Sequence, residues 1–273
     1  MSSKAFLVDT TKCTGCRACQ VACKQWNGLP GQKTTFFEGT EYTNPGALTA
    51  MTWNHVVFSK LKKKKSISPV WNIMHKKCYH CEQANCITVC PAKPKAISKV
   101  DGWTVVDQEK CIGCGSCTTA CVYNVPHLAK KKHVNDLGVT VLKKDKSHKC
   151  NACTVVERDI PACVTTCPTD ALTIGPRLDM LKKAQERLKV VKKTIPTASI
   201  YGKDEFGGLG VITILKDKPG TFDLPVGNKA KPKKMSELED VNNIYEFLSL
   251  FTFGIPSLKR SAYKLARNMS KKA

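Results

Sequence analysis

All sixteen cysteines of this chain stand in four tight groups of four with none left over, and no other feature of its 273 residues limits the fold as strongly. The groups are Cys13, Cys16, Cys19 and Cys23; Cys78, Cys81, Cys86 and Cys90; Cys111, Cys114, Cys117 and Cys121; and Cys150, Cys153, Cys163 and Cys167. A disulfide framework suits thiols on distant strands, whereas three cysteines at successive three-residue steps bring their sulfurs toward one point. Zinc is the stronger rival, because Cys78/Cys81 and Cys150/Cys153 taken alone would each pass as half of a four-cysteine zinc site.

The spacing C-x2-C-x2-C-x3-C decides between them. It is complete at Cys13 to Cys23 and at Cys111 to Cys121, and it is the run found in bacterial ferredoxins. A [4Fe-4S] cube needs one soft thiolate on each iron. A short loop with cysteines three apart wraps three corners and turns its backbone N–H groups toward the sulfides. The fourth corner comes from elsewhere, and in two-cluster ferredoxins the last cysteine of each run crosses to the other cluster. Folding and cluster insertion are then coupled. Proline follows the last cysteine at Cys90-Pro91 and Cys167-Pro168, turning the chain away from the ligand; Cys23 and Cys121 are followed by Lys24 and Val122 instead.

The chain also matches itself. Residues Val8 to Cys23 return as Val106 to Cys121 with nine of sixteen positions identical. The second and fourth groups each open Lys-Cys-x-x-Cys and close Cys-x-Thr-x-Cys-Pro, so the motif order is A, B, A, B. Apolar runs before the A motifs (Ala5 to Val8, Trp103 to Val106) and after the B motifs (Ala96-Ile97, Ala171 to Ile174) read as short strands, with helical turns between cysteines. This is an α+β fold: duplicated two-cluster ferredoxin-like domains, with a helical extension at the C-terminus. Twenty residues separate Cys90 from Cys111, which makes groups two and three a contiguous unit and leaves one and four to meet across it. The expected division is an outer module (residues 1–76 with 140–215, including an insertion at 24–76), an inner module (77–139), a basic linker or arm (216–234) and C-terminal amphipathic helices (235–273).

Four such groups in this order, with the insertion after the first, resemble the iron-sulfur beta subunits of the molybdenum- or tungsten-bis-pterin oxidoreductases. These include formate dehydrogenase, nitrate reductase, dimethyl sulfoxide reductase and polysulfide reductase, with hydrogenase-linked relatives. The resemblance covers roughly residues 4–215, and the stretch Cys16 to Pro30, followed by Asn44-Pro45 and Trp53, is most similar to formate dehydrogenase beta subunits. It implies four [4Fe-4S] clusters held crosswise. One takes Cys13, Cys16, Cys19 and Cys167, and the next takes Cys23, Cys150, Cys153 and Cys163. A third takes Cys78, Cys81, Cys86 and Cys121, and the last takes Cys90, Cys111, Cys114 and Cys117. It further implies a molybdenum- or tungsten-pterin catalytic partner and a cytochrome, quinone-linked or other acceptor, between which this chain passes single electrons. The same wiring would serve a polysulfide or dimethyl sulfoxide reductase, a hydrogenase or a tungsten aldehyde oxidoreductase.

No residue set here points to substrate chemistry. The sequence carries no phosphate loop and no G-x-G-x-x-G, H-E-x-x-H or G-x-S-x-G motif. The formal charge of +22 falls to about +14 once four oxidised clusters are counted. Lysine runs at Lys62 to Lys65, Lys130 to Lys132 and Lys231 to Lys234 suit an acidic partner, an anionic surface or plain solvation. Nucleic acid is not expected, because no reader motif is present and aromatics are only 7%. Lys12, Arg17, Lys24, Lys77, Lys110 and Lys149 lie beside ligands in sequence, where a positive charge favours a reduced cluster. Of six histidines, only His80 falls between two ligands.

Residues 177–194 read as an amphipathic helix with Leu178, Leu181, Leu188 and Val191 on its apolar stripe. Ser236 with Glu239 forms a capping box for a second helix ending at Gly254-Ile255-Pro256, and a basic amphipathic tail follows from Leu258 to Met269. The stretch Ile244 to Pro256 is too short to span a bilayer, so contact with a membrane surface or another subunit is expected, not a transmembrane helix. No signal peptide precedes Lys4-Ala5-Phe6. Export alongside a signal-bearing catalytic partner would place the chain in the periplasm, with the cytoplasm as the alternative.

Overall fold

The computed structural model describes residues 4–32, 43–60, 71–154 and 158–232, together with 258 and 261. The expected C-terminal helices, the capping box, the Lys62 to Lys65 run and most of the basic tail lie outside the described residues.

The apolar run before the first cysteine group forms β1 (Lys4–Asp9), and the run after the fourth forms β10 (Leu172–Pro176); the two pair antiparallel, Phe6 facing Ile174 and Val8 facing Leu172. On its other edge β1 runs parallel to β12 (Val211–Leu215), which pairs antiparallel with β11 (Ser199–Tyr201) and gives the sheet order β10-β1-β12-β11. Because β side chains alternate between faces, β1 serves two interiors. Ala5 and Leu7, with Ile212 and Ile214, pack under the helix α5 (Arg177–Lys192), whereas Phe6 and Val8, with Val211 and Leu215, enter the main core beside Cys19 and Cys163.

The runs flanking the inner groups make β4 (Ile97–Val100) and β5 (Trp103–Val106), an antiparallel hairpin. Its turn is Asp101-Gly102 with φ of 49° and 84°, the left-handed pair that a tight hairpin requires. Between cysteines lie α1 (Ala18–Trp26), α2 (Asn85–Thr88), α3 (Ser116–Ala120) and α4 (Ala162–Thr165). Helix α1 packs on α4, and α2 packs on α3. Within the insertion, β2 (His55–Lys60) and β3 (Trp71–Lys76) form a second hairpin. The remaining strands are short pairs around the third group, His127–Leu128 with Ser147–His148 and His133–Val134 with Thr140–Leu142.

Two local expectations change. The apolar stripe of α5 runs through Met180, Ala184 and Val191, with Leu181 and Leu188 at its margin; Leu178 is 71% exposed and takes no part. Residues 216–232, the described part of the segment expected as a linker or arm (216–234), form 3-10 turns at Pro219–Phe222 and Gly227–Ala230 and bury Phe222, Leu224 and Ala230 in the main core.

Candidate functional site

The two A motifs reach their ligands in the same way. A glycine at positive φ, Gly15 or Gly113, bends the loop, and the last two cysteines follow at helical spacing. Cys19 and Cys23 stand one turn apart on α1, Cys117 lies on α3, and Cys121 caps it, so each pair projects to one side. Gly15 has no room for a side chain, because a Cβ there would sit 2.6 Å from the Phe58 ring. In the B motifs the first two cysteines flank left-handed residues, His80 at φ 48° and Ala152 at φ 56°. Cys86 and Cys163 lie on α2 and α4, and Cys90 and Cys167 follow them.

All sixteen thiols are free; eight are buried, seven half-buried, and Cys16 exposed. The disulfide reading is thereby set aside. The thiol neighbours cross between groups. Burial pushes the Cys13 thiol up, and Cys167 and Cys16 add to the shift. Burial likewise raises Cys23, with Cys150, Cys163 and Cys153 as its like-charged neighbours. The same holds for Cys81, with Cys78, Cys86 and Cys121, and for Cys117, where burial comes first and Cys111 and Cys90 contribute. One small cavity has Cys23, Cys150, Cys153 and Cys163 in its wall, and another has Cys90, Cys111, Cys114 and Cys117.

This donor set fits a polynuclear iron-sulfur group. Four thiolates on one zinc ion stand about 3.8 Å apart, as a metal-sulfur bond near 2.3 Å requires. Among the described residues, no three His, Cys, Asp or Glu side chains gather closely enough to hold a single ion. The thiols line their cavities in fours and offer only soft donors, as a cube with iron at alternate corners demands. Burial holds Cys19 and Cys150 near a pKa of about 12 and Cys114 near about 11, so metal-free thiols stay protonated and binding must release protons.

Polar groups converge on these sulfurs. The backbone N–H groups of His80, Ala152 and Ser147 donate to Cys78, Cys150 and Cys111, each at 3.4 Å. Hydroxyls of Ser116 and Ser147 lie 3.1 Å from Cys114 and 3.3 Å from Cys117. The six cationic residues beside ligands separate sharply. Lys12 and Lys110 are exposed, Lys110 pairing with Asp107 at 2.8 Å; Lys24 donates to the carbonyls of Pro30 and Met51; Arg17 lies over Phe58. Only Lys77 and Lys149 are buried, at 2% and 4% exposure.

His80 is buried, and its Nδ1 accepts from the Thr104 N–H at 3.1 Å. A histidine that sequence spacing passes over lies closer to sulfur: Nε2 of His75 is 3.4 Å from Cys13 Sγ and Nδ1 is 3.8 Å from Cys19 Sγ. Burial first, and then the Lys77 ammonium, pull His75 down to about 3, so the ring is neutral and donates to one of the two sulfurs. It is brought there by the β2–β3 pairing, Val56 opposite His75, which no spacing rule within the cysteine groups could reveal.

Four cysteine groups set between short helices and small sheets, as in tandem ferredoxin-like domains, define an iron-sulfur protein of the electron-transfer class. The 4Fe-4S dicluster domain family matches residues 12–93, and a second 4Fe-4S dicluster family matches residues 69–177. The chain is 33% identical over 223 residues to the iron-sulfur subunit of the nitrate-inducible formate dehydrogenase of Escherichia coli, covering 80% of this chain and 70% of that one. It is 31% identical over 225 residues to the beta subunit of formate dehydrogenase 2 (cytochrome c-553) of Nitratidesulfovibrio vulgaris, covering 79% and 94%. A probable anaerobic dimethyl sulfoxide reductase chain of E. coli is 32% identical over 186 residues, covering 65% and 76%. The chain belongs to the family of formate dehydrogenase iron-sulfur subunits and carries four [4Fe-4S] clusters. No helix among the described residues is long and apolar enough to cross a membrane.

Proposed function

We propose that this chain relays single electrons between a molybdenum- or tungsten-pterin subunit that oxidises formate and a downstream cytochrome or quinone-linked acceptor. The clusters supply reversible one-electron uptake. The chain's own residues hold them in sequence, shield them and set their surroundings. The ligand sets are Cys13, Cys16, Cys19 and Cys167; Cys23, Cys150, Cys153 and Cys163; Cys78, Cys81, Cys86 and Cys121; and Cys90, Cys111, Cys114 and Cys117.

The observation that carries this partition is the crossing of thiol neighbours: Cys167 beside Cys13, and Cys150, Cys153 and Cys163 beside Cys23. Strand pairing supports the nested modules, since β1 pairs with β10 across the outer groups while β4 pairs with β5 between the inner ones. A dimethyl sulfoxide reductase chain among the relatives favours a second reading, in which the same wiring feeds a reductase. Export with the catalytic partner belongs to the same proposal and is read by cell fractionation.

Two experiments test it. Purified as its native complex, the protein should reduce an artificial dye on addition of formate and co-purify with a pterin-bearing subunit; reoxidation by dimethyl sulfoxide without formate activity would select the second reading. Separately, Cys167→Ala should remove or alter the cluster held by Cys13, Cys16 and Cys19, with about four of about sixteen irons at risk. Spectroscopic loss confined to the cluster of Cys150, Cys153 and Cys163 would sink the partition.

A further inference from the structure

Lys77 and Lys149 immediately precede the first cysteines of the two B motifs, Cys78 and Cys150. Each turns its ammonium away from its own module. The Lys77 Nζ lies 3.8 Å from Cys163 Sγ and 3.2 Å from the centre of the Phe6 ring, in the wall of the cavity formed with Cys23, Cys150 and Cys153. Lys149 does the converse. Its Nζ donates to the carbonyls of Thr104 on β5 and of Cys150 and hydrogen-bonds the Cys78 thiol, and its charge acts on Cys78 and Cys86 ahead of Cys150, and on Cys121. The two motifs thus exchange cations across the molecule.

Neither lysine pairs with a carboxylate among the described residues. A buried ammonium without a counter-ion is costly, and a cation–π contact or a carbonyl offsets only part of that cost. The counter-charge on hand is the thiolate-bound cluster itself, which carries about −2 when oxidised and gains one further negative charge on reduction. A fixed positive charge a few ångströms away, in a medium of low dielectric, interacts more strongly with the more negative state. Such a charge raises a reduction potential without taking part in any proton transfer.

Resting on the ligand sets proposed above, we infer that Lys77 and Lys149 are potential-setting residues. Lys77 favours the reduced form of the cluster of Cys23, Cys150, Cys153 and Cys163; Lys149 favours that of the cluster of Cys78, Cys81, Cys86 and Cys121. Among the described residues, the lysines beside the cluster of Cys90, Cys111, Cys114 and Cys117 are not buried: Lys110 is exposed and paired with Asp107, and Lys146, which donates to the Cys111 carbonyl, is half-buried. Each step adds one electron from the mediator and no proton. The lysines therefore make two clusters of the chain easier to reduce, and they do so reciprocally between modules.

The test is a potentiometric titration of the native complex, followed by electron paramagnetic resonance, for Lys77→Met, Lys149→Met and the charge-keeping Lys77→Arg. Iron is counted in every sample. The expected result is full iron with a reduction equilibrium at least tenfold less favourable, a 59 mV fall for a one-electron couple, in the cluster each lysine faces. Lys77→Arg should stay near the unmodified value. Unmoved potentials at full iron overturn the inference, and so does a shift in the cluster bound by the adjoining cysteine instead of the facing one. If a Met variant loses iron, Lys→Gln at that position is measured; loss there too shows that the lysine holds the fold, and overturns the role claimed for it. The ligand partition fails separately, in the iron count and spectrum of Cys167→Ala.

Discussion

Gly202 follows β11 at φ +100°, and a Cβ at that position would drive into the carbonyl of Val211. Backbone strain of this kind costs about 1–3 kcal/mol, and the clash adds to it. Gly202→Ala is expected to lower stability by about 2 kcal/mol or more, read as a lower thermal midpoint of the iron-loaded protein; an unchanged midpoint would contradict the geometry. Its neighbour Tyr201 is fully buried, with its hydroxyl 2.8 Å from that of Tyr123, so the strain would be felt in the main core. Glycine 202 carries no mark in the sequence of the constraint on it. The same limit governs the lysines. A Lys-Cys dipeptide opens all four groups, at Lys12, Lys77, Lys110 and Lys149, and spacing treats them alike. They part because each A loop turns its lysine out to solvent, just after a turn in which Asp9 or Asp107 accepts from the N–H of Thr11 or Glu109, each at 2.9 Å. The B loops instead leave β3 and the Ser147–His148 strand inside the protein, and their lysines are carried in with them.

Helix α5 is joined to β1 by packing and by one ion pair: Arg187 Nε donates to Asp9 Oδ2 at 2.8 Å, and Asp9 is only 4% exposed. Arg187→Ala leaves that carboxylate partly buried without its cation. With the guanidinium one-third solvated, the expected loss is about 1–2 kcal/mol, measured as a lower denaturant midpoint, with Arg187→Lys recovering part of it. The packing half of the joint is sharper. Ala184 is fully buried against Ala5, Leu7, Ile212 and Ile214, so Ala184→Leu should cost about 1–3 kcal/mol by overpacking. Leu178→Ser should change stability by less than about 0.5 kcal/mol, because Leu178 already faces solvent. Equal effects from the two changes would refute the assignment of faces. The four strands flanking the motifs were legible because apolar runs sit directly against the cysteine spacing. The stripe of α5 was not: leucines at 178, 181 and 188 satisfy helical periodicity whichever face is turned inward. What selects the face is the small side chain of Ala184, which lets the helix settle close to the sheet.

The protein as a whole has two kinds of interior. Around the cysteines, most helices are four or five residues long, too short to persist by themselves, and the surrounding cores contain Cys19, Cys23, Cys78, Cys150 and Cys163 among their buried members. Removing iron leaves those buried thiols with nothing to bridge them. The binding free energy of the clusters is there the folding free energy. On the far face of the sheet, Ala5, Leu7, Met180, Ala184, Ile212 and Ile214 form a core with no cysteine in it, closed by a helix of sixteen residues. Stepwise iron removal with a chelator under anaerobic, reducing conditions should therefore unfold the molecule unevenly. Amide hydrogen exchange should accelerate first around α2, α3 and α4, while β1, β12 and α5 keep their protection longest. Uniform loss of protection, in step with iron, would show instead that the sheet and its helix have no stability apart from the clusters. The nested connectivity makes this a demanding test, because β1 and β10 lead directly into the outer cysteine groups, and their pairing must survive the loosening of both loops if the thiol-free core is what holds them.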